Sequence, residues 1–152
     1  MSIHNKLMEI QHKLKAPKNQ KNNFGGYNYR SCEDILEAVK PLLYEQKCTL
    51  CINDDVLPVI DSVYVKATAT ITDSETNEAV TSSAYAREQE SAKGMTAPQI
   101  TGSCSSYARK YALNGLFCID DTKDADATNT GEQQKTPVRR SRRKIKVDEC
   151  PF

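Results

Sequence analysis

The chain has 152 residues, six cysteines, no tryptophan and a formal net charge of +1. That length supports one domain with a core of its own. A near-zero charge excludes binding of nucleic acid by bulk charge alone, and no apolar run reaches the length of a membrane span.

The charge is unevenly placed. Residues 1–124 carry two more acidic than basic side chains, and residues 125–152 carry three more basic than acidic. A polyanion site in the body must therefore be a local arrangement. The N-terminal residues contain no continuous apolar stretch of the signal-peptide kind. The expectation is a cytoplasmic chain whose cysteines are reduced thiols.

Ile3, Leu7, Ile10 and Leu14 recur at helical spacing and predict a first helix over residues 3–14, ended by Pro17. Residues 15–26 are polar and basic, with Lys15, Lys18, Lys21 and a Gly25-Gly26 pair, and read as a flexible loop. Residues 26–30 read as a short strand with Tyr27 and Tyr29 on one face. Ser31 with Asp34 forms a variant capping box opening a second helix, whose buried stripe is Ile35, Val39, Leu42 and Leu43. Pro41 predicts a kink or break in it.

Three strands follow, at 48–56, 62–72 and 79–87. In the middle one Val63, Val65, Ala67, Ala69 and Ile71 alternate with Tyr64, Lys66, Thr68, Thr70 and Thr72. This predicts a meander sheet with one buried face and one hydroxyl-rich face, the latter carrying Tyr64, Lys66 and Arg87. Cys48 and Cys51 form a CxxC with no second pair. On a strand, residues three apart point to opposite faces, about 10 Å apart at a rise of about 3.3 Å per residue, so the pair cannot share a metal. The expected fold class is α+β, with an antiparallel meander packed on helices.

Residues 93–124, KGMTAPQITGSCSSYARKYALNGLFCIDDTKD, hold the densest pattern. Thr96 and Gln99 make a capping box, Pro98 fits the first turn, and Asn114-Gly115 marks the exit of a helix over 96–113. On a helical wheel Ile100, Cys104, Ala108 (with Tyr107) and Tyr111 form the buried stripe. Gly102, Ser105 and Arg109 form another, with Ser103, Ser106 and Lys110 beside it. Two cations thus rise from a low floor of Gly and Ser, where a phosphate can come close. The same spacing also fits a helix packed on the sheet through its small residues, with Arg109 and Lys110 pointing to solvent or to Asp120 and Asp121.

No catalytic constellation is present. Both histidines, His4 and His12, lie on the first helix, and no Walker A motif occurs. A nuclease would need paired metal carboxylates, which the sequence does not offer; Asp120, Asp121, Asp124 and Asp126 read as solvated loop or tail. No metal or cofactor is expected. From residue 127 the composition turns polar and aperiodic, which predicts a disordered tail over 127–152 after a domain of residues 1–126.

The stretches GGYNYRSCEDILEAVKPLL and KGMTAPQITGSCSSYARKYALNGLFCIDDTKDAD closely resemble the ERF family of phage single-strand annealing proteins. The resemblance spans about residues 3–126 and is most specific at 102–117. It implies a Rad-fifty-two-like β-α-β-β-β-α core assembled into homo-oligomeric rings in the cytoplasm of the phage's host. It implies ATP-independent annealing of single-stranded DNA in recombination, not enzyme turnover, with the strand in a positive groove. The residues it points to are Arg109 and Lys110, then Lys93 before the same motif, with Lys18 and Lys21 ahead of the GGYNYR strand. Tyr107 and Tyr111 belong to the motif, and an exposed tyrosine can hold any base by its π-face. Lys66 and Arg87 extend the candidate surface across the sheet. A further partner that the resemblance implies is a phage exonuclease.

The basic run of Arg139, Arg140, Arg142, Arg143, Lys144 and Lys146 is suited to nonspecific attraction to DNA. The last residues, Asp148, Glu149, Cys150, Pro151 and Phe152, resemble the acidic tip of bacterial single-stranded-DNA-binding proteins. That likeness implies a partner-binding tip made by Asp148, Glu149, Pro151 and Phe152, directed at host repair or replication proteins. It supports an alternative reading of the chain as an adaptor module.

Overall fold

The computed structural model describes residues 1–119. The elements run α1 (Ile3–Lys13), β1 (Gln20–Asn22), β2 (Tyr27–Tyr29), α2 (Cys32–Glu45), β3 (Cys48–Val59), β4 (Ser62–Asp73), β5 (Ala79–Arg87) and α3 (Ala97–Phe117). The fold is α+β. β1 and β2 form a two-stranded antiparallel ribbon, and β3, β4 and β5 form an antiparallel meander with β4 in the centre. The expected tail, its basic run and its acidic tip lie outside the described residues, as does the acidic run from Asp120 onward. Among the described residues no helix is long and apolar enough to cross a membrane.

The main sheet follows its period of two. Val65, Ala67, Ala69 and Ile71 are buried, while the intervening side chains of β4 are half-exposed. Asp73 falls in the same phase, so the alternation carries a carboxylate into the interior. Lys6 of α1 reaches it there, with its Nζ 2.8 Å from Asp73 Oδ1, and the backbone N–H of Glu75 donates to the same oxygen at 2.9 Å. Glu75 links Lys6 to Lys47, at 3.4 and 2.7 Å. The β4–β5 turn, the start of β3 and the first helix are thereby tied at one corner.

β3 runs three residues beyond its expected end because Pro58 is tolerated on an edge strand, where a missing N–H breaks no ladder bond. Pro41 likewise lies inside α2, which the structure keeps as one helix instead of breaking it. The Ser31–Asp34 capping box forms in both directions, at 2.8 and 3.2 Å. Cys48 is buried and Cys51 exposed, as opposite faces of a strand require.

The loop expected at 15–26 is corrected. Gln20–Asn22 pairs with Tyr27–Tyr29, and Asn22 Oδ1 accepts from the N–H groups of Phe24 and Gly25 to close the turn, with Gly26 at φ +65°. The polar triplet Gln-Lys-Asn has no apolar alternation to announce a strand, and the signal lies in the turn that follows it.

α3 is longer than its Asn114-Gly115 exit suggested. It continues to Phe117, and Cys118 takes the left-handed cap at φ 54°. Gly115 instead serves close approach: a Cβ there would stand 2.8 Å from Ser82 Oγ on β5. The inward stripe is Ile100, Cys104, Ala108 and Ala112, extended by Leu113, Leu116 and Phe117. It meets a sheet face that is itself alanine-rich, with Ala67, Ala69, Ala84 and Ala86.

This packing has two measurable consequences. Hydrogen bonds and charge from Lys6 hold Asp73 down to about 2, below its ordinary 3.8. As pH falls, the unfolded chain therefore takes up a proton before the folded one does. Thermal melts should lose stability progressively from about pH 4 to about pH 2, and Asp73→Asn should flatten that part of the profile while lowering the melting temperature at neutral pH. Separately, Gly115→Ala in a Ser82→Ala background should stabilise the chain by about 1 kcal/mol in denaturant titrations, the usual helix gain of Ala over Gly. The same change with Ser82 present should gain less, because the new methyl needs the space that the hydroxyl holds.

Candidate nucleic-acid interface

The alanine stripe fixes how α3 is rotated over the sheet, and its two flanks acquire different chemistry. On one flank Ser105 and Arg109 face β3. Arg109 Nε lies 3.0 and 3.1 Å from the two carboxylate oxygens of Asp54, and its Nη2 lies 3.0 Å from Oδ2. The Ser105 hydroxyl donates to the same carboxylate. Asp54 follows Leu50 and Ile52 in the inward phase of β3, so the strand itself delivers it to the helix. Partial burial pushes the Asp54 carboxyl up, but the hydrogen bonds from Arg109 and Ser105 outweigh this and hold it below the usual range. The same bond raises Arg109. Arg109 is thus a charged, pre-aligned guanidinium already holding one anion.

On the other flank Tyr107 and Tyr111 are 56% and 42% exposed. The expectation that Tyr111 points to the sheet is corrected, because the helix packs through the i, i+4 series ending at Ala112. The two rings stand 5.0 Å apart, tilted by 56°, with their hydroxyls 3.3 Å apart. Lys110 Nζ lies 5.9 Å from the Tyr107 ring centre and 5.7 Å from that of Tyr111. An ammonium over two π-faces is held by the ring quadrupoles while keeping its charge.

The outer sheet face carries a related motif. Lys66 sits 5.8 Å from the ring centre of Tyr85, its cross-strand partner. Thr68 and Ser83 share a hydrogen bond at 3.0 Å, and Arg87 pairs in register with Tyr64. Between α3 and the β5 edge lies a groove of about 570 Å³, lined by Tyr85, Arg87, Gln89, Met95, Tyr107 and Tyr111.

The expected site residues therefore fall into groups. Tyr107 and Arg87 line one groove, with Lys110 over the tyrosine wall and Lys66 over Tyr85. Arg109 occupies the opposite flank of the same helix. Lys93 is exposed on the loop before α3, next to Gly94 at φ +78°. Lys18 is half-buried ahead of the small ribbon, and Lys21 is exposed on β1 opposite Asn28. Asp148, Glu149, Pro151 and Phe152 lie outside the described residues.

Sequence reasoning missed Asp54, Tyr85 and the groove. Asp54 carried a usable signal, since a carboxylate in phase with Leu50 and Ile52 needs a cation from the element above. The groove carried none, because it depends on the residue 88–95 connection passing beside α3.

The ERF superfamily model matches residues 3–149 of the chain, well past the span of 3–126 over which the motifs are recognisable. Over 129 residues the chain is 60% identical to the essential recombination function protein of Salmonella phage P22, a match covering 85% of this chain and 61% of that protein. The chain thus spans less than two thirds of that relative's length. No solved structure matches it. The motif around α3, the 60% identity and a family match over nearly the whole length lead to one assignment: the chain belongs to the ERF superfamily.

Proposed function

We propose that this chain binds single-stranded DNA and anneals complementary strands without ATP during phage recombination, as a homo-oligomeric ring in the cytoplasm of the phage's host. Family membership and the name of the phage P22 relative support the recombination role. The observation that carries DNA binding is the cluster on α3, where Lys110 stands over two exposed tyrosines beside a groove rimmed by Arg87. Cations for phosphate and aromatic faces for bases are the two elements of sequence-neutral single-strand binding. Residues 1–126 act as the annealing domain, and annealing asks for no turnover chemistry.

In this reading Lys110, Arg87, Lys93 and Lys66 neutralise phosphates, Lys66 from the outer sheet face, and Lys18 and Lys21 extend the path. Arg109 joins by exchanging Asp54 for a phosphate. Binding through the DNA backbone leaves pairing edges open for the incoming strand. Exposed apolar side chains at the β3–β4 tip, Val56, Val59 and Ile60, support association between protomers. The tail supplies general attraction to DNA through its basic run.

Annealing of complementary oligonucleotides without ATP tests the proposal directly. The wild-type chain should accelerate annealing, and its affinity should fall with salt by about 0.7 log units per neutralised phosphate. Arg109→Ala/Lys110→Ala should slow annealing and shrink that slope by about 0.7 for each phosphate left without its cation. Unchanged binding and annealing in this double variant would remove α3 from the DNA path. Asp54→Asn should release Arg109 and tighten binding up to about fivefold, the worth of one partly exposed ion pair. Weaker binding by a folded Asp54→Asn variant would instead make Asp54 the residue that positions Arg109.

A further inference from the structure

We infer that the groove between α3 and β5 is a nucleobase subsite, which takes one unstacked base of the bound strand per protomer. The inference rests on the single-strand reading above and names the part of the DNA that this groove receives. Three observations carry it.

The first is the wall. Tyr107 and Tyr111 are exposed and line the groove, and their two tilted rings, 5.0 Å apart, form one aromatic surface. Tyr85 borders the groove where it reaches the β5 edge, with its ring on the outer sheet face beside Lys66. A planar heteroaromatic ring gains most from such faces, and the gain is tolerant of base identity.

The second is the floor. Ile100 and Cys104 are buried beneath the opening, and the Cys104 thiol donates to the Ala86 carbonyl at 3.4 Å. The floor is therefore apolar, with its polar hydrogen already committed. It holds no charged group that would demand a particular base.

The third is the placement of charge. Among the described residues no carboxylate lines this groove, whereas Asp54 occupies the other flank of α3. Lys110 stands at the outer face of both tyrosines and Arg87 at the rim. A base lying against these rings thus places its own phosphates toward cations, not toward acids. Gln89 and Ser103 offer rim donors and acceptors without a fixed pattern. A second copy of this chain inserting an apolar side chain is the competing occupant, and it predicts a different outcome below.

The test compares an oligo(dT) of about 16 nucleotides with an oligonucleotide of equal length carrying abasic residues. Each is titrated against the full chain and against Tyr107→Leu/Tyr111→Leu and Tyr107→Phe/Tyr111→Phe variants. Both tyrosines are exposed, so neither change threatens the fold. The wild type should bind oligo(dT) more tightly than the abasic strand by at least about fivefold, the low end of a single base–aromatic stack. The Leu variant should lose that preference while keeping the wild-type salt slope, and the Phe variant should retain both.

Equal wild-type affinity for the two strands, or a Leu variant that keeps the preference, would overturn the subsite and leave the single-strand reading standing. Leu variants that change oligomer size and not base preference would overturn it too, and assign the groove to a second copy. Failure of the wild type to bind either strand would overturn the functional reading itself, with the subsite falling with it.

Discussion

The close seating of α3 on the sheet is the constraint on which the rest depends. Alanines face alanines across this interface, and Gly115 lets the helix end touch β5 at Ser82. Small side chains on both surfaces leave little freedom in rotation or height, because interiors are packed to crystal-like density. Once Ala108 and Ala112 are seated, residues 107 and 111 must stand on one flank and 105 and 109 on the other. The division of the helix into an aromatic flank and a paired flank follows from which positions hold alanine.

Two carboxylates placed inward by strand alternation show how the same device serves stability and site. Asp73 is at the end of β4, where the first helix can send Lys6 to it, and the pair is closed off from solvent. Asp54 lies further along the neighbouring edge strand, under the open flank of α3, and its partner Arg109 stays partly exposed. Depth separates their roles. A buried pair broken from one side leaves an uncompensated charge and is held permanently. A half-exposed pair is worth little net and can exchange partners.

Much of this was legible in the chain. The three helices, the meander and the buried face of β4 follow from period and capping alone, because long amphipathic elements average out local irregularity. Of the short ribbon, the strand at Tyr27–Tyr29 was legible but its partner Gln20–Asn22 was not, since three polar residues carry no period. The wheel identified Cys104 and Ala108 correctly but put Tyr111 inward. Around a helix, residues 111 and 112 are only about 100° apart, and an aromatic competes with an alanine for the buried place. Hydrophobicity favours the tyrosine, whereas the tight approach to an alanine-rich sheet admits only the smaller residue. Arg109 was legible as a candidate, and Asp54 in the inward phase of β3 signalled the need for a cation, but their pairing was not legible, because the meeting of β3 and α3 joins residues fifty-five positions apart in a way no local pattern encodes.

The separation of Arg109 from Lys110 bears on how a protein with a net-negative body handles a polyanion. Neighbouring residues on the helix end in different electrostatic states. Lys110 is held by π-faces, which steady the ammonium without cancelling its charge, so its full attraction is available at a distance. Arg109 is neutralised by Asp54, and in the proposed reading a phosphate takes the place of Asp54 only on close approach. That exchange swaps one anion for another at nearly constant hydrogen bonding, so it adds little to affinity. It does add a requirement for close approach. In the proposed reading, a strand drawn in by Lys110 and Arg87 is gripped by Arg109 only when it lies down on the Gly and Ser surface of α3. If the chain holds single strands and then lets a duplex go, as proposed, a weak conditional grip suits it better than a strong permanent one.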